Sequence, residues 1–366
     1  MLTGVRVLDL SRVLAGPVCT MMLGDMGASV IKIERPGEGD ETRGWGPPFD
    51  ERGESAYFLS VNRNKLSVAI DLDSEAGLEV LNRLFTEADV VVENFRPGVL
   101  GRRGLAPEVV RARYPQLVWC TITGFADEAT RPGYDFVVQA ESGWMSVTGE
   151  PDGSPMKHGV ALVDVMVGKD AAIALLAALV ERGRTGVGRL VTVSLSATAE
   201  AALVNVAQNA LVSGSSARRW GNAHANLVPY QLFEASDRAV VIAAGSDAQW
   251  LACARALDLA ELVADERLRT NAGRLAHRER VVSAIAARVR ERSSREWKER
   301  LDAVGVPNGV VRTVTEVLAE RPASRESGMP PSVPGAVRRR PPLLGEHTDI
   351  VARLGWKAFG SDSRTV

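Results

Sequence analysis

"KLSVAIDLDSEAGLEVLNRLFTEADVVVENF", residues 65–95, decides how the rest of the chain is read. Ser74 precedes a stretch, 74–88, whose apolar residues fall at helical spacing, so it reads as an N-cap and an amphipathic helix. The flanking runs "KLSVAIDL" and "DVVVENF" are strand-like. Strands joined by a helix of this length argue for parallel pairing. The same alternation precedes the stretch: "VRVLDL" (5–10), a helical "VCTMMLGDMGA" after Gly16-Pro17, and "SVIKIE" (29–34). It continues through "APEVVRARYPQ" into "LVWCTITGF" (117–125). With right-handed crossovers these units predict an α/β fold, a Rossmann-like parallel sheet with helices on its faces.

Further along, the apolar residues of 164–183 run nearly all round and predict a buried helix. A strand "LVTVSL" (190–195) and a helix over 196–212 follow. "SGSSARRWGNAHANLVP" (213–229) mixes small, basic and polar residues and marks a boundary. Beyond it, "YQLFEA" and "AVVIAA" read as strands turned at Ser236-Asp237. Helices around 246–257, 276–291 and 294–304, then a strand and helix over 306–320, complete a smaller α+β unit. The Pro-rich tail 330–356 ends in one short helix and is expected to return to the first domain.

The composition narrows the function classes. Of 366 residues, 45% are hydrophobic and 24% charged, an ordinary globular balance. A net charge of −1 gives no general affinity for nucleic acid or an anionic membrane. Cys19, Cys120 and Cys253 are scattered, as are the histidines, so neither a disulfide scaffold nor a metal cage is expected. "MLTGVRVLDLSR" does not read as a signal peptide, and "DAAIALLAALVERGRTG" meets charge after about ten apolar residues, short of the roughly 20 that span a bilayer. A cytoplasmic, metal-free protein is the expectation.

No GxGxxG or Walker A follows the first strand, which argues against the standard nucleotide fingerprints. Arg35 at the end of the second strand could stack on an adenine or pair with a phosphate. Arg96, Arg102 and Arg103 gather around a turn, and Arg63 and Lys65 add further cations. Each cluster alone reads as solvated surface; together they suit a ligand with several phosphates. "PMKHGVALVDVMVG" (155–168) then sets a single acid, Asp164, in an apolar run, with Gly159 before it and Gly168 after. On these residues alone it is either a nucleophile or a helix-start carboxylate facing the dipole.

The chain resembles the family III CoA-transferases, the group of formyl-CoA and carnitine CoA-transferases. The resemblance rests on "VLDLSRVLAGP" (7–17), "GASVIKIERPGEGDETR" (27–43), "NRNKLSVAIDL" (62–72) and "DVVVENFRPGVL" (89–100). It continues in "GYDFVVQAESGWMSVTGEPDGSPMKHGVALVDVMVG" (133–168), "PYQLFEASD" (229–237) and "PLLGEHTDIVARLGW" (342–356), in the family's order. It implies that Asp164 attacks an acyl-CoA thioester and carries CoA as an aspartyl thioester to a free carboxylic acid. CoA thioesters are then substrates, with no cofactor bound permanently and no metal. Tyr134 and Asp135 match active-site positions, Asp135 where formyl-CoA transferases have a glutamate. Val13, Ala15, Arg35, Asn94, Phe95 and Arg102, and more weakly Lys65, match positions that contact CoA. The resemblance also implies an interlocked homodimer of two-domain chains: a large domain of 1–210 with 325–366, a small one of 225–320, and linkers at 211–224 and 321–330. Leu14 stands where formyl-CoA transferases have a glutamine beside the acyl group, which argues against oxalate.

The alternative within the same superfamily is an α-methylacyl-CoA racemase, which moves the α-proton with a histidine and an aspartate. Here Gly133-Tyr134-Asp135 stands where the racemases have Gly-His-Asp, and a tyrosine with an ordinary value near 10 is a poor base at neutral pH. A non-catalytic CoA-binding protein would have no need of Asp164. "VSLSA" lacks a GxSxG elbow, which sets aside a serine hydrolase.

Overall fold

The computed structural model describes residues 1–361. In chain order the first elements are β1 (Arg6–Asp9), α1 (Ala15–Asp25), β2 (Ser29–Glu34), α2 (Ala56–Val61), β3 (Lys65–Ala69), α3 (Glu75–Phe85) and β4 (Val90–Glu93). There follow α4 (Pro107–Arg113), β5 (Val118–Thr123), α5 (Asp135–Glu141), α6 (Trp144–Val147), α7 (Leu162–Thr185), β6 (Leu190–Ser194), α8 (Leu195–Ala201) and α9 (Val204–Ser213). The six strands form one parallel sheet in the order β3-β2-β1-β4-β5-β6. That order reverses direction between β1 and β4, where doubly wound sheets open a crevice at their strand ends.

Both faces of the sheet are covered, and the side-chain alternation of each strand serves two cores. Val7, Val90, Val92, Val118 and Cys120 face α1 and α7. Leu8, Ile31, Leu66, Val91 and Trp119 face the other side, against Leu81, Leu84 and Phe85 of α3 and Val110 of α4. The Ser74 hydroxyl accepts from the Gly77 N–H, so the expected cap starts α3.

Two expectations are corrected. The helix foreseen over 196–212 is α8 and α9, split where Val204 takes a left-handed φ of 41° that interrupts the hydrogen-bond ladder. Nor is α7 buried all round: Val167, Ala171 and Leu175 enter the core, whereas Ile173 and Val180 are 65% and 59% exposed. One apolar face of the helix is therefore left uncovered by its own chain.

The chain forms two compact units, Met1–Trp144 with Lys157–Gly214 and Arg321–Val366, and Met145–Met156 with Ser215–Glu320. In the smaller unit β7 (Tyr230–Glu234), β8 (Ala239–Ala243) and a later β9 (Asn308–Val310) make an antiparallel sheet in the order β7-β8-β9. Helices α10 (Asp247–Ala256), α11 (Ala260–Ala264), α12 (Asn271–Ala276), α13 (Arg278–Val289), α14 (Ser294–Asp302) and α15 (Val314–Ala319) accompany it. Its core packs Phe233, Ile242, Trp250, Ile285 and Trp297. The tail returns to the larger unit. There α16 (Thr348–Leu354) puts Val351 in the core, the His347 N–H donates to the Ser67 carbonyl, and the Gly345 N–H donates to the Ser67 hydroxyl. Among the described residues no helix is long and apolar enough to cross a membrane.

Candidate active site

A cleft with a cavity volume of about 810 Å³ opens at the strand ends beside the β1–β4 reversal. Its walls include Arg12, Val13, Leu14 and Ala15 after β1, Arg35 after β2, Asn94, Phe95 and Arg96 after β4, and Tyr134 and Asp164.

The loop after β1 is shaped by buried charge. Val13 sits at φ 69°, a left-handed conformation that a β-branched residue adopts only under constraint. The Val13 N–H donates to both Asp40 carboxylate oxygens at 3.3 Å, and Lys32 Nζ lies 2.9 Å from Asp40 with both side chains buried. Asn94 secures the neighbouring residue across the strand reversal: the Arg12 N–H donates to Asn94 Oδ1 at 2.9 Å, and Asn94 Nδ2 donates back to the Arg12 carbonyl at 2.8 Å. Beneath the loop, Lys65 Nζ donates to Asp9 Oδ2 at 2.9 Å. Burial alone would raise the Asp9 carboxyl, but Lys65 and Lys32 outweigh it and hold it down to about 2. Burial likewise opposes the charge on Asp40, yet Lys32 keeps that carboxyl below its ordinary value. These ions are a floor for the loop.

Asp164 lies in the first turn of α7, half-buried, at the cleft wall. Its helix has no side-chain cap of its own. Instead Asp135, buried at the start of α5, reaches across: Oδ1 accepts from the Val163 N–H at 2.8 Å and from the Asp164 N–H at 3.3 Å. Its other oxygen accepts from Gln139 Nε2 at 2.6 Å, and Gln139 Oε1 accepts from the His158 N–H at 2.9 Å. One carboxylate thus caps α7 and, through Gln139, tethers the approach to it. Burial first, and then the charge of Asp135, raise the Asp164 carboxyl to about 7.

The register of α7 against α1 sets where Asp164 stands. A Cβ on Gly168 would lie 2.6 Å from the Ala15 carbonyl oxygen and 3.0 Å from the Val18 side chain. Only glycine lets α7 come this close to the loop after β1. Gly159, the other flanking glycine, has nothing within 4 Å of such a Cβ. Apolar Leu14, Val18, Met22 and Val61 cluster with Tyr57 and Ala161 nearby. Burial, followed by the charges of Asp164, Asp135 and Asp40, pushes the Tyr57 hydroxyl up to about 12. Asp40 was not singled out as a functional residue from sequence.

The structure brings Val13, Ala15, Arg35, Asn94, Phe95, Tyr134 and Asp164 to one cleft, with Asp135 directly behind Asp164. Two other expected positions lie elsewhere. Lys65 points down from β3 into the floor, because alternation along the strand turns it towards Asp9, so its ammonium is no cleft contact. Arg102 is exposed on the turn outside the cleft wall, which takes Arg96 and Arg103 from the same segment. The rim cations have exposed acidic neighbours, Arg35 with Glu38 at 3.1 Å and Arg103 with Asp73 at 2.7 Å. Such surface pairs are weak and exchange readily for a phosphate. Among the described residues no group of acids, histidines and cysteines could hold a metal.

A doubly wound sheet with a cation-rimmed cleft and one carboxylate raised towards neutrality suits a phosphate-bearing ligand that carries an electrophile. Residues 2–348 match the family model of CoA-transferase family III. Succinyl-CoA:glutarate CoA-transferase of Mus musculus is 42% identical over 369 residues, covering 95% of this chain and 84% of that protein. Succinate–glutarate CoA-transferase of Agrobacterium fabrum is 40% identical over 327 residues, covering 87% of this chain and 82% of the relative. The solved structure of a CAIB/BAIF family protein from Brucella suis superposes with a TM-score of 0.83 at 40% identity, covering 96% of this chain and 98% of that one. The chain belongs to CoA-transferase family III and is a CoA-transferase, whose substrates are CoA thioesters.

Proposed function

We propose that this enzyme takes CoA from a short dicarboxylic acyl-CoA, succinyl-CoA foremost, and gives it to a second short dicarboxylic acid through a thioester on Asp164. The observation that carries this is the Asp164 carboxyl, set in the cleft wall at the start of α7 and raised to about 7. A carboxylate with little water and no paired cation keeps its nucleophilicity. The succinate and glutarate relatives supply the acid class.

In the first step an Asp164 oxygen attacks the thioester carbonyl and CoA leaves as thiolate, forming a mixed anhydride. The thiolate then attacks the Asp164 carbonyl carbon and expels the donor acid as carboxylate, leaving the Asp164–CoA thioester. The acceptor carboxylate attacks that thioester, releasing the thiolate again. Finally the thiolate attacks the acceptor's acyl carbonyl and frees Asp164. No water is consumed, so thioester energy passes from one acid to the other. The N–H groups that open α1 at Ala15 and Gly16 have no intrahelical partner by position, and Pro17 contributes none. With the N-terminal dipole of α7 they suit the oxyanions of these steps. Arg35, Arg96, Arg103 and the more distant Arg102 suit the phosphates and adenine of CoA, with Asn94, Phe95 and the backbone of Val13 and Ala15 along its length. Tyr134 closes the acyl end, and Asp135 orients Asp164.

The enzyme is further read as a cytoplasmic, interlocked homodimer. The three cysteines are free and buried, as a reducing compartment favours, and Phe136, Ile173, Val180, Leu211 and Val212 leave apolar surface on the larger unit. Native mass measurement at nanomolar concentration would show a dimer; a monomer would sink this part. The chemistry is tested by incubation with acyl-CoA donors and hydroxylamine, followed by peptide mass spectrometry. A hydroxamate at Asp164 that requires donor is expected. No adduct, with solvent deuterium entering the donor's α-carbon, would make the enzyme a racemase.

A further inference from the structure

The smaller unit carries a group of cations that the transfer chemistry above leaves unused. Trp220 has two guanidinium groups over its ring, Arg218 at 4.0 Å and Arg278 at 4.7 Å from the centroid. Each guanidinium is attracted to the indole face, but the two like charges repel each other, and an added anion would relieve that repulsion. Neither arginine forms an ion pair among the described residues, and burial followed by the charge of Arg218 lowers the Arg278 guanidinium below its ordinary value. Arg278 Nη1 is buried with no hydrogen-bond acceptor, whereas its Nη2 donates to the carbonyls of His224 and Ala225 and so fixes the fork. The adjacent Arg219 is differently placed: it donates to the carbonyls of Glu150, Pro151 and Gly153 and ties that segment to the loop. Glu150 comes close to Gly221, where its Oε2 would lie 3.0 Å from an added Cβ, but it pairs with neither Arg218 nor Arg278.

We propose that Arg218, Trp220 and Arg278 form an oxyanion-binding site on the smaller unit, the two guanidinium groups taking the oxygens and the indole excluding water from one side. Planar forks beside an aromatic wall suit a carboxylate or a phosphate with its apolar neighbour atoms. The site stands on its own geometry, while its biological ligand rests on the transferase reading: the second carboxylate of a dicarboxylic acid, or a phosphate of CoA.

The test is a fluorescence titration of the full chain with glutarate in one arm and adenosine 3′,5′-bisphosphate in the other. The difference between the parent and Trp220→Phe isolates the one indole. A saturable Trp220 response is expected, and the arm that produces it names the source. Arg218→Gln, at an exposed side chain, and Arg278→Lys, which keeps the charge but loses the fork, should each weaken it about tenfold or more. The response should survive Asp164→Asn, so a failed transferase reading would leave it intact. No Trp220 response to either anion, or one that both arginine variants retain, would overturn the proposal.

Discussion

Two regions of the larger unit bury carboxylates with opposite outcomes. Under the strand ends Asp9, Glu34 and Asp40 meet Lys65, Arg43 and Lys32 at 2.8–2.9 Å, and all three acids are held below their ordinary values. At the start of α7, Asp164 meets Asp135 instead and rises to about 7. Burial pushes every one of these groups the same way, so the sign of the neighbour decides. The paired set is rigid and ionised; the unpaired acid keeps its electron pair for chemistry.

The comparison is broken most directly at its two extremes. Asp164→Ala is expected to lower CoA transfer on the order of 10⁴-fold or more while leaving the chain folded, since it removes the nucleophile and no cation loses a partner. A variant that retained a tenth of the parent rate would assign the chemistry elsewhere. Asp9→Asn should do the reverse, costing about 3–5 kcal/mol in denaturant unfolding because it leaves the buried Lys65 amine without its carboxylate partner. Adding Lys65→Met should recover most of that loss. If Asp9→Asn costs under about 1 kcal/mol, the floor is not held by its ions.

The pH behaviour sharpens the same contrast. The folded Asp164 carboxyl titrates at about 7 against 3.8 for an ordinary aspartate, so the folded state binds the proton more tightly. Stability from this group is full below about pH 4 and is lost as pH rises through about 7. Asp164→Asn is thus expected to stabilise the chain at pH 8, by roughly 2 kcal/mol after discounting the group's partial access to solvent, and not at pH 4. The first, acyl-transferring step should rise with pH around a midpoint near 7, because attack needs the carboxylate. Asp135→Asn should move that midpoint down by less than about one unit, since burial is the larger cause. An unchanged midpoint would mean that the two carboxylates do not sense each other.

How much of this was readable beforehand follows from the range of each interaction. The βα alternation is local, and the parallel sheet came through in the 65–95 stretch. Strand order did not, because the reversal between β1 and β4 is a tertiary choice. The exposed face of α7 was missed, since an apolar run says that a surface wants covering without saying what covers it. Lys65 more weakly matches a CoA-contact position of the family, but a match in residue type says nothing of direction, and the strand turns the side chain inward. Asp164 stood out as a lone acid, but the Asp135 cap joins residues 29 apart in sequence, and no spacing rule links them. The left-handed Val13 is equally silent in sequence: a valine gives no hint of φ 69° until Asp40 is seen holding its N–H.

The smallest effects test whether the neighbourhood of Asp164 is set by packing or by motif. Gly159 and Gly168 look equivalent in sequence, one on each side of the acid, yet their surroundings differ. A methyl group at 168 meets the Ala15 carbonyl at 2.6 Å and must push α7 off the loop that lines the cleft. Gly168→Ala is expected to cost about 1–3 kcal/mol and, through the displaced Asp164, to lower kcat more than it raises KM. A methyl group at 159 has open space, so Gly159→Ala should stay within about 0.5 kcal/mol and leave kcat near the parent value. If the two variants behave alike, the close contact of α7 with α1 is not what positions the nucleophile. If they separate as expected, the glycine after Asp164 is there for the helix contact, and the one before it has no steric role within the chain.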